Sequence, residues 1–280
     1  GIEFSLNTVN VKTTNFSWTT NFNIAHNYNE VLDIGELRPD AIGGGTNETR
    51  ILPGYPIGTI YTVRFYGVDP ADGLPIYLDR NGNQTKVLNV SAADGDKVPV
   101  ATVYPDATGG LTNTFKFKDF ELSSLFTYTI GGNIWDNSGK RNMGYITDWN
   151  IYSMYVGNYW RQPGDVAKYP RPTVAGYPGI EGNPWSNNTS LQVYEQDYIR
   201  LKELTLNYYL PAKLAKSIRM SSARVFFSGY NLLLFTKYPI GDPEVARDSE
   251  DVTARNQSPN ANFLTLPQQR SYNFGINVNF

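Results

Sequence analysis

Segments in which every second residue is apolar recur along this chain, and the connections between them alternate between very short and very long. The closing stretch SYNFGINVNF shows the rhythm. Tyr272, Phe274, Ile276, Val278 and Phe280 alternate with Ser271, Asn273, Gly275, Asn277 and Asn279. Such alternation reads as a β-strand with one apolar and one polar face. The opening repeats it, with Ile2, Phe4 and Leu6 against Glu3, Ser5 and Asn7. Phe16, Trp18, Thr20, Phe22 and Ile24 then stand against Ser17, Thr19, Asn21 and Asn23. Residues 109–130 read as a hairpin turning near Lys118 and Asp119, its second arm presenting Phe120, Leu122, Ser124, Phe126, Tyr128 and Ile130 on one face. Leu204, Leu206, Tyr208 and Leu210 alternate with Glu203, Thr205 and Asn207. ARVFFSGYNLLLFTKY is apolar on both faces, which fits a strand whose inner face is also covered. Seven strands are expected, each near the roughly 9–11 residues that cross an outer membrane at a tilt. PAKLAKSIRM is the one segment with helical spacing.

The connections run over residues 13–15, 32–108, 118–119, 131–192, 211–220 and 237–267. Long structureless loops are uncommon inside compact soluble domains. Alternating short and long connections are the asymmetry of bacterial outer-membrane barrels, with short periplasmic turns and long extracellular loops. The pattern predicts a first strand running inward and a seventh that ends at the periplasmic rim, with Phe280 there. Trp18, Tyr128, Tyr208 and Tyr230, near strand ends, suit interfacial aromatic girdles.

Composition excludes other classes. A net charge of −2 offers nothing to nucleic acid or to an anionic membrane surface. With no cysteine, disulfides and thiolate metal sites are ruled out, and with His26 as the single histidine a His-based catalytic or zinc site has no basis. No stretch approaches the roughly 20 apolar residues of a membrane-spanning helix. GIEFSLNTVN has neither the basic nor the apolar region of a signal peptide and reads as the inside of a strand. Both ends read as strands, as though earlier strands were missing.

Three stretches resemble the SusC/RagA family of TonB-dependent outer-membrane transporters: RILPGYPIGTIYTVRFYGVDPADGLPIYLDRNGN, GGLTNTFKFKDFELSSLFTYTIGGNIWD, and DYIRLKELTLNYYLPAKLAKSIRMSSARVFFSGYNLLLFTKYPIGDPEV with the terminal PQQRSYNFGINVNF. The similarity runs across essentially all of residues 1–280. It implies an all-β fold: the C-terminal part, about seven antiparallel strands, of a 22-stranded barrel closed around a plug. The plug domain and earlier strands have no counterpart here. It implies import of a glycan or peptide across the outer membrane, with a SusD-like surface lipoprotein as lid and TonB, reached through the absent N-terminal region, as energy source. It points to a Bacteroidetes source. The alternating last strand ending in an aromatic resembles a barrel-assembly signal, carried by Tyr272, Phe274 and Phe280. No cofactor is implied.

Candidate contacts lie in the connection 131–192, rich in aromatics. Trp135, Trp149, Tyr155, Trp160 and Trp185 are the substrate- or partner-binding candidates, since aromatic faces suit sugar rings and protein partners. The same residues would equally pack the loop onto itself. The DPADGLPIYLDRNGN segment offers Asp69, Asp72, Asp79, Asn81 and Asn83, but without EF-hand spacing, and reads as turns rather than a metal site. Asp242 with Glu244 reads as solvated charge, and no catalytic constellation is present. Asn21, Asn23, Thr205, Asn207, Asn273 and Asn277 are expected on the lumen or plug side. Two other readings stay open: a soluble all-β carbohydrate-binding module, and a segment that completes another protein's barrel without transport of its own.

Overall fold

The computed structural model describes residues 1–37, 49–90, 95–144, 146, 149–174, 176–177, 189–244 and 261–280. Seven long strands form one sheet: β1 (Ile2–Lys12), β2 (Phe16–His26), β3 (Ala107–Phe117), β4 (Phe120–Ile130), β5 (Tyr198–Tyr209), β6 (Ser222–Thr236) and β7 (Ser271–Asn279). Each pairs antiparallel with its neighbour in sequence, so the sheet is an up-and-down meander. The expected seven strands are all present. The short helix Ala212–Ser217 lies inside the predicted helical segment and joins β5 to β6.

Register turns the two-residue rhythm into faces. One row runs across all seven strands through Val11, Trp18, Phe115, Leu122, Leu206, Phe227 and Phe274, every member apolar. A parallel row joins Leu6, Phe22, Leu111, Phe126, Leu201 and Leu233. Phe4, Leu206, Phe227 and Phe274 on this face are exposed. A soluble sandwich packs its apolar face inward; among the described residues nothing covers these four side chains, and the face suits lipid. The opposite face carries Asn21, Thr112, Glu121, Asn207 and Asn273, as the alternation requires. Bulges interrupt the pairing between Val9 and Val11 and between Leu201 and Glu203. At the hairpin between β3 and β4, Lys118 takes a left-handed conformation (φ 52°).

The long connections are not structureless, and here the structure corrects the sequence reading. The β2–β3 connection folds into a small sheet of Thr49–Arg50, Thr59–Val68, Pro75–Leu78 and Gln84–Thr85, with Lys97–Thr102 also paired to Thr59–Val68. A second sheet is built from three places in the chain. Asn133–Asp136 pairs antiparallel with Val193–Glu195 and parallel with Ala261–Asn262. Short strands with few alternating pairs leave no clear period, so the sequence pattern did not reveal them.

Fully buried apolar side chains concentrate in this loop layer. Ile60, Val103 and Trp135 form one cluster and Met143, Tyr155 and Tyr169 another. Interlocking hydrogen bonds hold the layer together: Phe65 N donates to the Ser190 side-chain Oγ at 2.9 Å, and the backbone bonds run from Arg171 N to Gly73 O at 3.0 Å and from Asn137 N to Asn262 O at 2.9 Å. The three long connections therefore make a single packed layer at one end of the sheet, while the other end carries only tight turns and the short helix.

Candidate functional site

The aromatic residues of the 131–192 connection mostly serve this packing. Trp135 and Tyr155 are buried, Tyr155 donating to Pro170 O at 3.0 Å with its ring centroid 5.1 Å from that of Tyr159. Trp160 is also buried; its Nε1 donates to Pro70 O at 2.9 Å, and its ring lies over Gly73. Gly73 has φ +72°, and a Cβ there would come within 2.4 Å of that ring. The glycine thus supplies both the turn and the space for the indole. Trp149 is partly open to solvent, 39% exposed. Trp185 lies outside the described residues. Of the two uses the sequence left open for these aromatics, packing accounts for the buried three.

A cleft of about 300 Å³ opens where two connections meet, between Ser138, Tyr152, Met154, Pro239, Asn262 and Thr265. Behind it Asp136 is fully buried, accepting from Ser138 N at 3.1 Å and from the Tyr152 hydroxyl at 3.3 Å. Burial disfavours its charged form and pushes the carboxyl up to about 7, partly opposed by these hydrogen bonds. The nearby phenols of Tyr152 and Tyr194 are raised above the ordinary tyrosine range, also by burial.

Asp242 and Glu244 correct a second expectation. They are not solvated charge. Asp242 Oδ1 accepts from Arg200 Nη2, and both side chains are buried. Glu244 Oε2 lies 2.7 Å from Arg200 Nε, and Glu244 Oε1 lies 2.7 Å from Lys202 Nζ. The partner cations sit far away in sequence, on β5, so nothing local to the two acids announced the pairing. By alternation Arg200 and Lys202 share the side of Leu204 and Leu206, and only the bulge between Leu201 and Glu203 brings Arg200 to the polar face, so the sequence rhythm hid them.

The aspartates at 69 and 72 flank Lys86, whose Nζ lies 2.6 and 2.8 Å from them. Its ammonium holds both carboxyls below the usual carboxylate range through charge-assisted hydrogen bonds, opposed by desolvation. Asp79 caps its own turn by accepting from Asn83 N at 2.8 Å. Among the described residues, no group of three or more His, Cys, Asp or Glu is placed to hold a metal ion. His26 Nδ1 lies 2.5 Å from Asp106 O, a link between the ends of β2 and β3. Tyr272, Phe274 and Phe280 project from the apolar face, exposed, with Tyr272 stacked on Phe227 at 6.1 Å between centroids.

No family model matches the chain. Two proteins of Formosa agariphila, "TonB-dependent receptor P3" and "TonB-dependent receptor P26", are similar over 100% of it, at 28% and 29% identity. "TonB-dependent receptor SusC" of Bacteroides thetaiotaomicron is 24% identical over 88% of the chain. Among solved structures, the "RagAB peptide transporter" superposes with a TM-score of 0.76 over 99% of the chain at 22% identity. The chain is a segment of an outer-membrane β-barrel and is similar to TonB-dependent receptors along its whole length. It spans 28% and 29% of the length of the two Formosa relatives, and 28% of the RagAB chain. In a barrel of this kind the apolar rows face lipid and the polar face looks into the lumen. The loop layer then stands at the extracellular mouth, and the tight turns lie in the periplasm.

Proposed function

We propose that this segment forms the C-terminal wall and part of the mouth of a TonB-dependent importer of glycans or peptides, closing a 22-stranded barrel. A SusD-like surface lipoprotein would cover the mouth, and TonB would act through a region outside residues 1–280. A plug and the remaining strands would complete the lumen against Asn21, Asn23, Asn273 and Asn277. Tyr272, Phe274 and Phe280 would serve as the assembly signal. Partner or substrate contact falls to open aromatics such as Trp149, while Trp135, Tyr155 and Trp160 keep the loop layer in shape. One observation carries the reading: an unbroken apolar row across seven strands, with every long connection gathered at one end.

The test is uptake of labelled oligosaccharides and oligopeptides by cells with and without the full-length receptor. Loss of one substrate class on deletion, reproduced by an uncoupler or by removal of TonB, supports the proposal. Unchanged uptake of both classes, or recovery of the receptor only in the soluble fraction, refutes it.

A further inference from the structure

The connection between β6 and β7 is fastened to the inner wall of the barrel at both of its feet. The first foot is the turn at Gly241–Glu244, and the second is Gln268, where the chain approaches β7. Asp242 serves both. Its Oδ1 accepts from Arg200 and from Glu244 N at 3.0 Å, and its Oδ2 accepts from Gln268 N at 3.1 Å. Lys202 repeats the arrangement, with Nζ 2.7 Å from Glu244 Oε1 and 2.9 Å from Gln268 Oε1. One strand, β5, thus supplies two cations: Arg200 meets the first foot at Asp242 and Glu244, and Lys202 meets both feet, at Glu244 and Gln268.

Strand geometry explains how two cations arrive together. Arg200 stands opposite Thr127 of β4 and Leu234 of β6, on the polar face of the sheet. The bulge between Leu201 and Glu203 leaves Lys202 out of the pairing, free of the ladder's alternation. Arg200 is further held by its guanidinium lying 5.9 Å from the Tyr198 ring centroid. The guanidinium donates a directional hydrogen bond to Asp242 through Nη2, while Nε meets Glu244 Oε2 as an ion pair at 2.7 Å without hydrogen-bond geometry.

The chemistry matters because it differs from ordinary packing. A buried ion pair contributes little net stability compared with apolar side chains of similar volume, yet it fixes geometry, and losing one partner strands the other charge. Apolar residues would have glued this connection down as well. Charges make its docking specific in position.

We propose that Arg200 and Lys202, with Asp242 and Glu244, form a latch that holds the β6–β7 connection, and through it the loop layer, against the inner wall. The latch opens without unfolding the barrel. The layer is coupled because Asn262, in the same connection, donates to the Tyr238 hydroxyl at 2.7 Å and accepts from Asn137 N through its carbonyl. Release at the feet therefore loosens the small sheet that carries Asn133–Asp136. The inference rests on the position of Arg200 and on no particular substrate.

Hydrogen exchange on the full-length receptor in detergent or nanodiscs tests it, with the wild type compared with Arg200→Lys and Arg200→Met. Arg200→Lys keeps the charge and removes the guanidinium. At least tenfold faster exchange at the amides of Glu244 and Gln268, with the β5–β6 ladder amides unchanged, is the expected result for both variants. Should Arg200→Met fail to reach the membrane, Arg200→Lys decides by itself. Unchanged exchange at those two amides overturns the latch. Equal acceleration at the β5–β6 ladder also overturns it, since the pair would then be part of the general framework of the wall.

Discussion

The ring of Phe226 lies over Gly275 on the adjacent strand, so close that a Cβ on Gly275 would sit 2.6 Å from two ring carbons. The missing side chain is what lets β6 carry an aromatic on the lumen face next to β7. Phe226 also receives the Arg224 guanidinium at 5.3 Å from its centroid. Gly275→Val should cost about 1–3 kcal/mol through overpacking. The folded band on a heat-modifiability gel should accordingly disappear at a lower temperature, while Gly67→Ala, where a Cβ meets nothing within 4 Å, leaves that band unmoved.

The apolar rows predict an asymmetry between neighbours. Phe274→Arg places a charge in lipid and should cost about 2–4 kcal/mol near the bilayer midplane. Asn273→Arg points the same charge into the lumen and should be tolerated. The folded fraction recovered in liposomes measures both. Equal losses would remove the assignment of faces.

These faces were legible in the sequence because period-two alternation needs only local information. Phe274 and Asn273 declare opposite sides whatever their partners are. The loop layer was not legible for the opposite reason. Trp135 owes its burial to Ile60 and Val103, which belong to another connection, and no window of sequence holds all three. Asp242 and Glu244 misled the sequence reading in the same way, since their cations lie on β5. What the sequence did expose was chemistry type, a dense set of aromatics in one connection, without saying which of them face inward.

Asp136 gives the loop layer a pH dependence with a definite sign. Its folded carboxyl is raised by burial to about 7, against an ordinary value of 3.8. Between those values the folded layer holds a proton that the unfolded chain has released, so stability falls as pH rises through this window and is greatest below it. At about 1.4 kcal/mol per unit, the upper bound on the loss is on the order of 4 kcal/mol. The protection factor of the Asn137 amide, its exchange rate corrected for the base-catalysed rise of intrinsic exchange, should fall in the wild type from pH 4 to 8. Asp136→Asn should flatten the profile. An equally steep profile in the variant would assign the dependence to other groups.

Two tryptophans of one connection should separate structure from recognition. Trp160 is buried, bonded to Pro70 and seated on Gly73, so Trp160→Ala removes packing worth about 3–5 kcal/mol and should open the loop layer to limited proteolysis. Trp149 is 39% exposed, and Trp149→Ala should leave the protease pattern unchanged. If the mouth of the barrel recognises its ligand or lid protein through open aromatics, that second variant loses binding in a pull-down or uptake assay while its fold stays intact. Retained binding in Trp149→Ala, alongside a proteolysed Trp160→Ala, would make the aromatics of this connection purely structural. The assay is informative because the two side chains are chemically identical and differ in exposure, 8% for Trp160 against 39% for Trp149.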